Sequence, residues 1–346
     1  MKTSLFILKS IYISALMLTL SCGGGGANKT DGTNVKEAST QQLNTTNPTV
    51  YVAGFERNSE GNDVATYWKN GQAVHLSDGK KDVRAQSIFV VGNDVYVAGF
   101  EHSYDAGYMV AMYWKNGQIV LLNNGSYANS IFVSGDDVYV VGGKRNSEDK
   151  VVAAYWKNGQ AISFDGFGSH AQSIFVSGDD VYVAGGVSNI AGAVTAKYWK
   201  NGEATFVGGI GSYTNSIFVS GNDVYVAGSE RNNEDMAVAT YWKNGKAVYL
   251  NKGNYATSIF VFGTDVYVAG LEYVDGVSFS VAKYWKNGEV VILREDLKHS
   301  FATSIFVYNN DVYVAGHDDN TAVYWKNGKA VPLKGGSVAY SIVVVQ

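Results

Sequence analysis

The feature that most constrains this chain is repetition. From residue 47 onward the sequence returns on itself with a period near 43 residues. "SIFV" or a variant begins at Ser87, Ser130, Ser173, Ser216, Ser258, Ser304 and Ser341. "VYV" centres on Tyr51, Tyr96, Tyr139, Tyr182, Tyr225, Tyr267 and Tyr313. "YWKNG" carries Trp68, Trp114, Trp156, Trp199, Trp242, Trp285 and Trp325, which are all seven tryptophans of the chain. A unit of this size cannot bury its own apolar faces. It must stack on copies of itself.

Each unit holds four short strand signals rich in Val, Ile, Phe and Tyr: a ("SIFV"), b ("DVYVAG"), c ("ATYWK") and d ("QAVHL"). A tight Gly/Asn/Asp turn joins a to b. Asn-Gly joins c to d, and a type I′ turn with two positive φ angles is what that pair supplies. The unit is therefore a four-stranded antiparallel meander, the size of one β-propeller blade. Composition agrees: 46% hydrophobic, 40 Gly and 2 Pro suit short strands with many tight turns.

The ends are out of phase in a telling way. The chain enters at "TVYVAG", a strand b with no strand a before it, and leaves at "SIVVVQ", a strand a with nothing after it. Together these halves complete one blade. The expectation is an all-β, seven-bladed propeller over residues 47–346, closed by pairing of the C-terminal strand with residues 49–54. An open solenoid would need capping units instead. Pairing of b with c is expected to set Asp94 beside Lys115, Val95 beside Trp114 and Tyr96 beside Tyr113. The tyrosines would face one neighbouring blade, and the Trp with its valines the other. The Asp–Lys pair recurs in six units, Thr49 replacing Asp in the first, and reads as a rim ion pair.

The pattern resembles the kelch-type propeller repeat over residues 47–346. A hydrophobic strand and turn lead into "DVYVAG" or "DVYVVGG", then a loop, then an aromatic strand ending at a turn. The double glycine of that family survives only at Gly142–Gly143 and Gly185–Gly186, and its Tyr-Asp pair is replaced by Tyr-Trp-Lys-Asn-Gly. The resemblance implies architecture and not function. The unit also resembles the Trp-x-Asn-Gly repeats of secreted bacterial propellers.

The first residues read as an address. Lys2 and Lys9 give a basic start, "IYISALMLTL" is too short to span a bilayer, and "SCGGGG" follows. Residues 1–21 resemble a bacterial lipoprotein signal, with Thr19 departing from the usual leucine. The resemblance implies cleavage before Cys22 and acylation of that cysteine. Residues 22–46, rich in Gly, Thr and Asn, read as a flexible tether. The expected location is the cell envelope, lipid-anchored, at the outer membrane or cell surface. Cys22 is the one cysteine, so no intramolecular disulfide or cysteine-rich metal site is expected. The net charge of −4 and the absence of a basic stripe argue against nucleic acid. No cofactor or metal is expected, and the chain reads as a monomer.

Function is expected where the repeats differ. The a–b and c–d turns keep one length; every insertion or deletion falls in the b–c and d–a connections, which share one side of the disc. The b–c loops offer Glu56, Glu101, His102, Arg231 and His317. Just before strand a stand Arg84, Tyr127, His170, Tyr213, Tyr255, Phe301 and Val338. Beside the strand-a serine stand Gln86, Asn129, Gln172, Asn215, Thr257, Thr303 and Tyr340. Both columns are expected to ring the mouth of the central channel. Stacking aromatics with amides suit a sugar or a polar peptide; the bland alternative is that they plug blade tops and cap strand ends. The expected role is a binding module for a protein or glycan at the envelope. Alternatives are weak repeated sugar sites, as in lectins, or a hydrolase or lyase with Glu101 and His102 as acid and base. No nucleophile elbow or phosphate loop occurs; "GGIGSY" at 208–213 joins two strands.

Overall fold

The computed structural model describes residues 47–103, 108–164, 168–274, 279–294 and 299–346. The expected signal segment, Cys22 and the tether lie outside these residues. Among the described residues there are 28 strands and no helix, arranged as seven four-stranded antiparallel sheets. Blade 1 combines β28 (Gly336–Val345) with β1 (Thr49–Arg57), β2 (Asp63–Lys69) and β3 (Gln72–His75). Blade 2 runs through β4 (Val83–Val91), β5 (Asp94–Ser103), β6 (Tyr108–Lys115) and β7 (Gln118–Leu121). Blades 3 to 7 repeat the order over 125–163, 169–210, 213–249, 255–292 and 300–332. Closure is as expected: Thr49 pairs with Val345 and Val52 with Ile342.

Seven apolar clusters hold the ring, one at each junction between neighbouring blades. All seven tryptophans are at most 1% exposed, so they are filler between blades and not ligand platforms. Trp114 and Val97 join Tyr51 and Ala53 of blade 1, whereas Tyr96 and Tyr113 join Ile131 and Trp156 of blade 3. The strand-a serines add a hydrogen-bonded hoop. Ser87 Oγ accepts from Ile131 N–H of the next blade, Ser130 from Ile174, and so on until Ser341 accepts from Ile88. That hoop explains why a polar residue opens every "SIFV".

The b–c register corrects the sequence expectation by two residues. Tyr96 faces Lys115, Val97 faces Trp114, and Ala98 faces Tyr113. The cause is the turn asparagine. Asn116 N–H donates to Val95 O, and its Oδ1 accepts from Val95 N–H at 2.9 Å, so the side chain extends the ladder past Lys115. A slip of two keeps every side chain on its expected face. The rim ion pair survives as a diagonal: Lys115 Nζ crosses the Tyr96 ring to Asp94 Oδ2 at 3.4 Å. It recurs in all six blades where it is expected. At Lys200, Asp180 first and Tyr182 second push the ammonium up to about 12. The c–d turns are type I′, with Asn116 at φ 51° and Gly117 at φ 81° typical of the seven.

Candidate functional site: the channel mouth

A bulge in the innermost strand builds the site. In blade 2, Ala85 pairs with Gly99 and Ser87 with Ala98, so Gln86 is the extra residue. The same skip occurs in every blade, at Asn129, Gln172, Asn215, Thr257, Thr303 and Tyr340. A bulge re-aims one side chain. Here all seven re-aimed residues line a single pocket of about 420 Å3, with Tyr255, Leu271 and Tyr273 completing its wall. The bulge also explains the glycine of "VYVAG". A Cβ on Gly99 would overlap the carbonyl oxygen of Arg84, and the equivalent clash recurs at each homologous glycine.

Several of these wheel residues are tied to the blade that follows. Asn129 Nδ2 donates to Ala171 O and to Gln172 Oε1, both at 2.9 Å. Asn215 Nδ2 donates to Ala256 O at 2.8 Å, Thr257 Oγ1 to Ala302 O at 2.7 Å and Thr303 Oγ1 to Ala339 O at 2.8 Å. These bonds tie each blade to the innermost strand of the next instead of capping strand ends, and they fix which atoms are left for a ligand. Three residues deeper, Phe89, Phe132, Phe175, Phe218, Phe260 and Phe306 touch in sequence, with ring centroids 4.7–5.0 Å apart. They form an apolar collar below the wheel, interrupted at blade 1 by Val343.

The other column behaves differently. Of Arg84, Tyr127, His170, Tyr213, Tyr255 and Phe301, only Tyr255 lines the mouth. Each pairs with a strand-b residue. The second glycines, Gly143 and Gly186, face the rings of Tyr127 and His170, where a Cβ would overlap the ring or crowd it. Phe301 stacks on His317 at 4.7 Å, so these two expected ligand contacts engage each other. Burial pushes the His170 and His317 imidazoles below their ordinary value, helped at His170 by Lys197 and at His317 by His299. Tyr213 is 39% exposed but sits away from the mouth.

Blade 1 carries a charged knot beside the mouth. The Asp63 carboxylate, 1% exposed, accepts from Arg57 Nε and Nη2 through Oδ1 and from Arg84 Nε through Oδ2. Arg84 lies 5.2 Å over the Phe55 ring, which itself packs against Tyr340 with centroids 6.0 Å apart. Asp63 escaped sequence reading because its partners are the last residue of β1, opposite it in the ladder, and a residue 21 positions on. The other missed charges share one repeat column, opposite the strand-b glycine: Lys197 and Lys283, 3% and 2% exposed. Lys197 lies over the rings of Trp199 and Phe206, and Lys283 pairs with Glu272.

The b–c loop residues do not converge on the mouth. Glu56 binds His75 at 2.8 Å, Glu101 pairs with Lys81, and Arg231 donates to Asp235 O. Glu101 and His102 are successive residues of β5 and point to opposite faces; His102 packs edge-on against Phe100. The b–c loops are also less variable than expected. Asn58, Asn146, Asn189 and Asn232 each accept from the N–H groups two and four residues on, which builds the same turn in blades 1, 3, 4 and 5. Grooves open between blades instead. Equivalent ones lie at the 2/3 and 5/6 junctions, about 700 and 260 Å3 in volume, and another of about 650 Å3 lies between the d–a loop of blade 1 and strands c and d of blade 2. Among the described residues no three His, Cys, Asp or Glu side chains gather as a metal site.

No protein-family model matches the chain, and no curated protein matches it in sequence. Solved structures do match in fold. A puromycin-hydrolyzing peptidase from Mycobacterium tuberculosis aligns with TM-score 0.55 at 12% identity, over 82% of this chain and 51% of that one. A puromycin hydrolase gives 0.54 at 10% identity, over 86% of this chain and 54% of that one. The propeller domain of the Trilobed protease from Pyrococcus furiosus gives 0.52 at 10% identity, over 84% of this chain and 94% of that one. The chain thus spans about half the length of the two hydrolases. At such identities the likeness is one of fold. The Pyrococcus propeller is described as an open velcro, whereas β28 closes the ring here.

Proposed function

We propose that this protein is a lipid-anchored binding module of the cell envelope, which takes its ligand at the channel mouth on the loop-bearing face. One observation carries the reading. Seven homologous positions, one per blade, are turned by a bulge into a single polar pocket, and their identities differ although the strand around them does not. Structural uniformity alone asks for one residue type at that position, as the serine hoop beside it shows. The N-terminal segment supports the anchor. Cys22 follows a short apolar run, and the segment to residue 46 is long enough to hold the propeller clear of a bilayer surface.

The test uses the full chain immobilised in an envelope extract. A ligand retained by the wild type and lost from the Gln86→Ala/Gln172→Ala double variant, with unchanged Tm, supports the reading. Equal retention by both proteins sinks it. For the anchor, Cys22→Ala is expected to move the protein from the membrane to the soluble fraction.

A second reading has its own support. The grooves at the 2/3 and 5/6 junctions occupy equivalent places, each between strand c and the d–a loop of one blade and strand b of the next. Weak sites there would act together by avidity, and a titration stoichiometry above one ligand per chain would favour them over the mouth. The hydrolase alternative is less well supported, since Glu101 and His102 diverge.

A further inference from the structure

We infer that the channel mouth recognises a neutral, hydroxyl-rich glycan. The inference rests on the binding reading above and names the ligand class. It follows from which hydrogen-bonding atoms of the wheel are already committed. Asn129 Nδ2 gives both its hydrogens to blade 4 and Asn215 Nδ2 gives one to blade 6, which leaves both Oδ1 atoms as acceptors and one Asn215 N–H as a donor. The single hydroxyl protons of Thr257 and Thr303 go to Ala302 O and Ala339 O, which leaves oxygen lone pairs. Gln172 keeps its amide nitrogen as a donor, because Asn129 occupies its oxygen. The wheel therefore offers acceptors and donors together, the donors being the Gln86 and Gln172 amides, the second Asn215 N–H and tyrosine hydroxyls.

Three ligand chemistries can be weighed against that inventory. A carboxylate or phosphate is acceptor-only and would leave the wheel's acceptors unpaired, and none of the residues lining the mouth carries a positive charge to balance it. An ammonium is donor-only and would find partners, but none of the residues lining the mouth carries a charge to balance it. A sugar hydroxyl both donates and accepts, and it is neutral. It fits the whole inventory.

The arrangement around the ring adds orientation. The amides Gln86, Asn129, Gln172 and Asn215 occupy the consecutive blades 2 to 5. The aromatic walls Tyr255, Tyr273 and Tyr340 lie on the opposite arc, in blades 6 and 1, with Tyr255 and Tyr273 edge to face at 5.9 Å. A pyranose presents the same division: hydroxyls at its edge and C–H bonds on its face, which stack on aromatic rings. At about 420 Å3 the pocket is at the small end of ligand sites. Blades enclose it on every side, with the phenylalanine collar beneath.

The experiment screens the full chain against an array of neutral, uronate-bearing and amino-sugar-bearing oligosaccharides, then titrates the best neutral binder. Neutral glycans are expected to bind, with uronate and amino counterparts at least about tenfold weaker. Gln86→Ala is expected to weaken binding about tenfold, the loss of one ligand hydrogen bond, with Tm unchanged. Gln172→Glu is expected to reverse the preference toward amino sugars. A charged glycan bound best, or no glycan bound at all, overturns the inference. Neither result touches the mouth reading, which the envelope-extract comparison decides separately. A neutral glycan bound equally by wild type and Gln86→Ala/Gln172→Ala sinks both.

Discussion

The two rims of each blade teach opposite lessons. At the tight-turn end, Lys-Asn-Gly is repeated in all seven blades, and each side chain has one structural task. Asn116 extends the b–c ladder, Gly117 accepts the positive φ, and Lys115 crosses Tyr96 to Asp94. At the other end the same scaffold delivers different residues to the channel mouth, and their polar groups are only partly consumed by the fold. Repetition marks what the ring needs mechanically. Variation on a repeated backbone marks what is free to serve a ligand.

Four substitutions or conditions bear on that contrast. The largest effect is expected inside the frame. Trp114→Ala removes a buried inter-blade ring and should cost about 3–5 kcal/mol, read as a drop in the chemical-denaturation midpoint. A small effect would mean that the tryptophans are not the filler they are taken to be. Asp63→Ala comes next, at about 3 kcal/mol, because Arg84 would keep its place against Phe55 without the buried carboxylate that balances it. That variant asks whether one charged knot on the loop face is as structural as the tight turns. Asn116→Ala should cost about 1–2 kcal/mol, since it loses both the cap on Val95 and a residue tolerant of positive φ. Equal losses at the homologous Asn158 and Asn201 would confirm that the turns do one job.

The smallest effect is a pH dependence. His170 and His317 have folded-state values depressed by burial below the ordinary 6.5. The unfolded chain therefore binds their protons more readily. The stability these neutral imidazoles contribute is complete above pH 6.5 and is lost as pH falls from there through the folded values. The rim carboxylates act in a lower window. Their values lie below 3.8, so their contribution is complete above that pH and fades as the folded values are crossed. Thermal melts of His170→Phe and His317→Phe should lose sensitivity in the upper window only. Unchanged sensitivity would mean that these rings are hydrated and not packed.

Much of the fold was legible because each blade states its needs locally. Asn-Gly announces a type I′ turn, alternating Val and Tyr announce a strand buried on both faces, and the unmatched strands at 49–54 and 341–346 announce closure. Where reading fell short, a non-local or sub-residue detail decided. The b–c register slipped by two because an asparagine side chain substitutes for a backbone group, which no alternation pattern reveals. The two candidate columns, ending at Arg84 and Gln86 in blade 2, have the same parity and looked equivalent. The bulge after Ala85 separates them, aiming Gln86 at the axis and leaving Arg84 paired with Phe100.

By itself the sequence determined the architecture: seven blades, their strand order, their turns and the pairing that closes the ring. These follow from short-range rules applied to a repeat, so they need no knowledge of what lies across the molecule. Only the tertiary structure decided the site. The wheel is assembled from residues about 43 positions apart, and its remaining donors and acceptors depend on which neighbouring carbonyl each amide or hydroxyl meets. That is a property of the ring as a whole, because a hydrogen bond between blades exists only once the blades are in place.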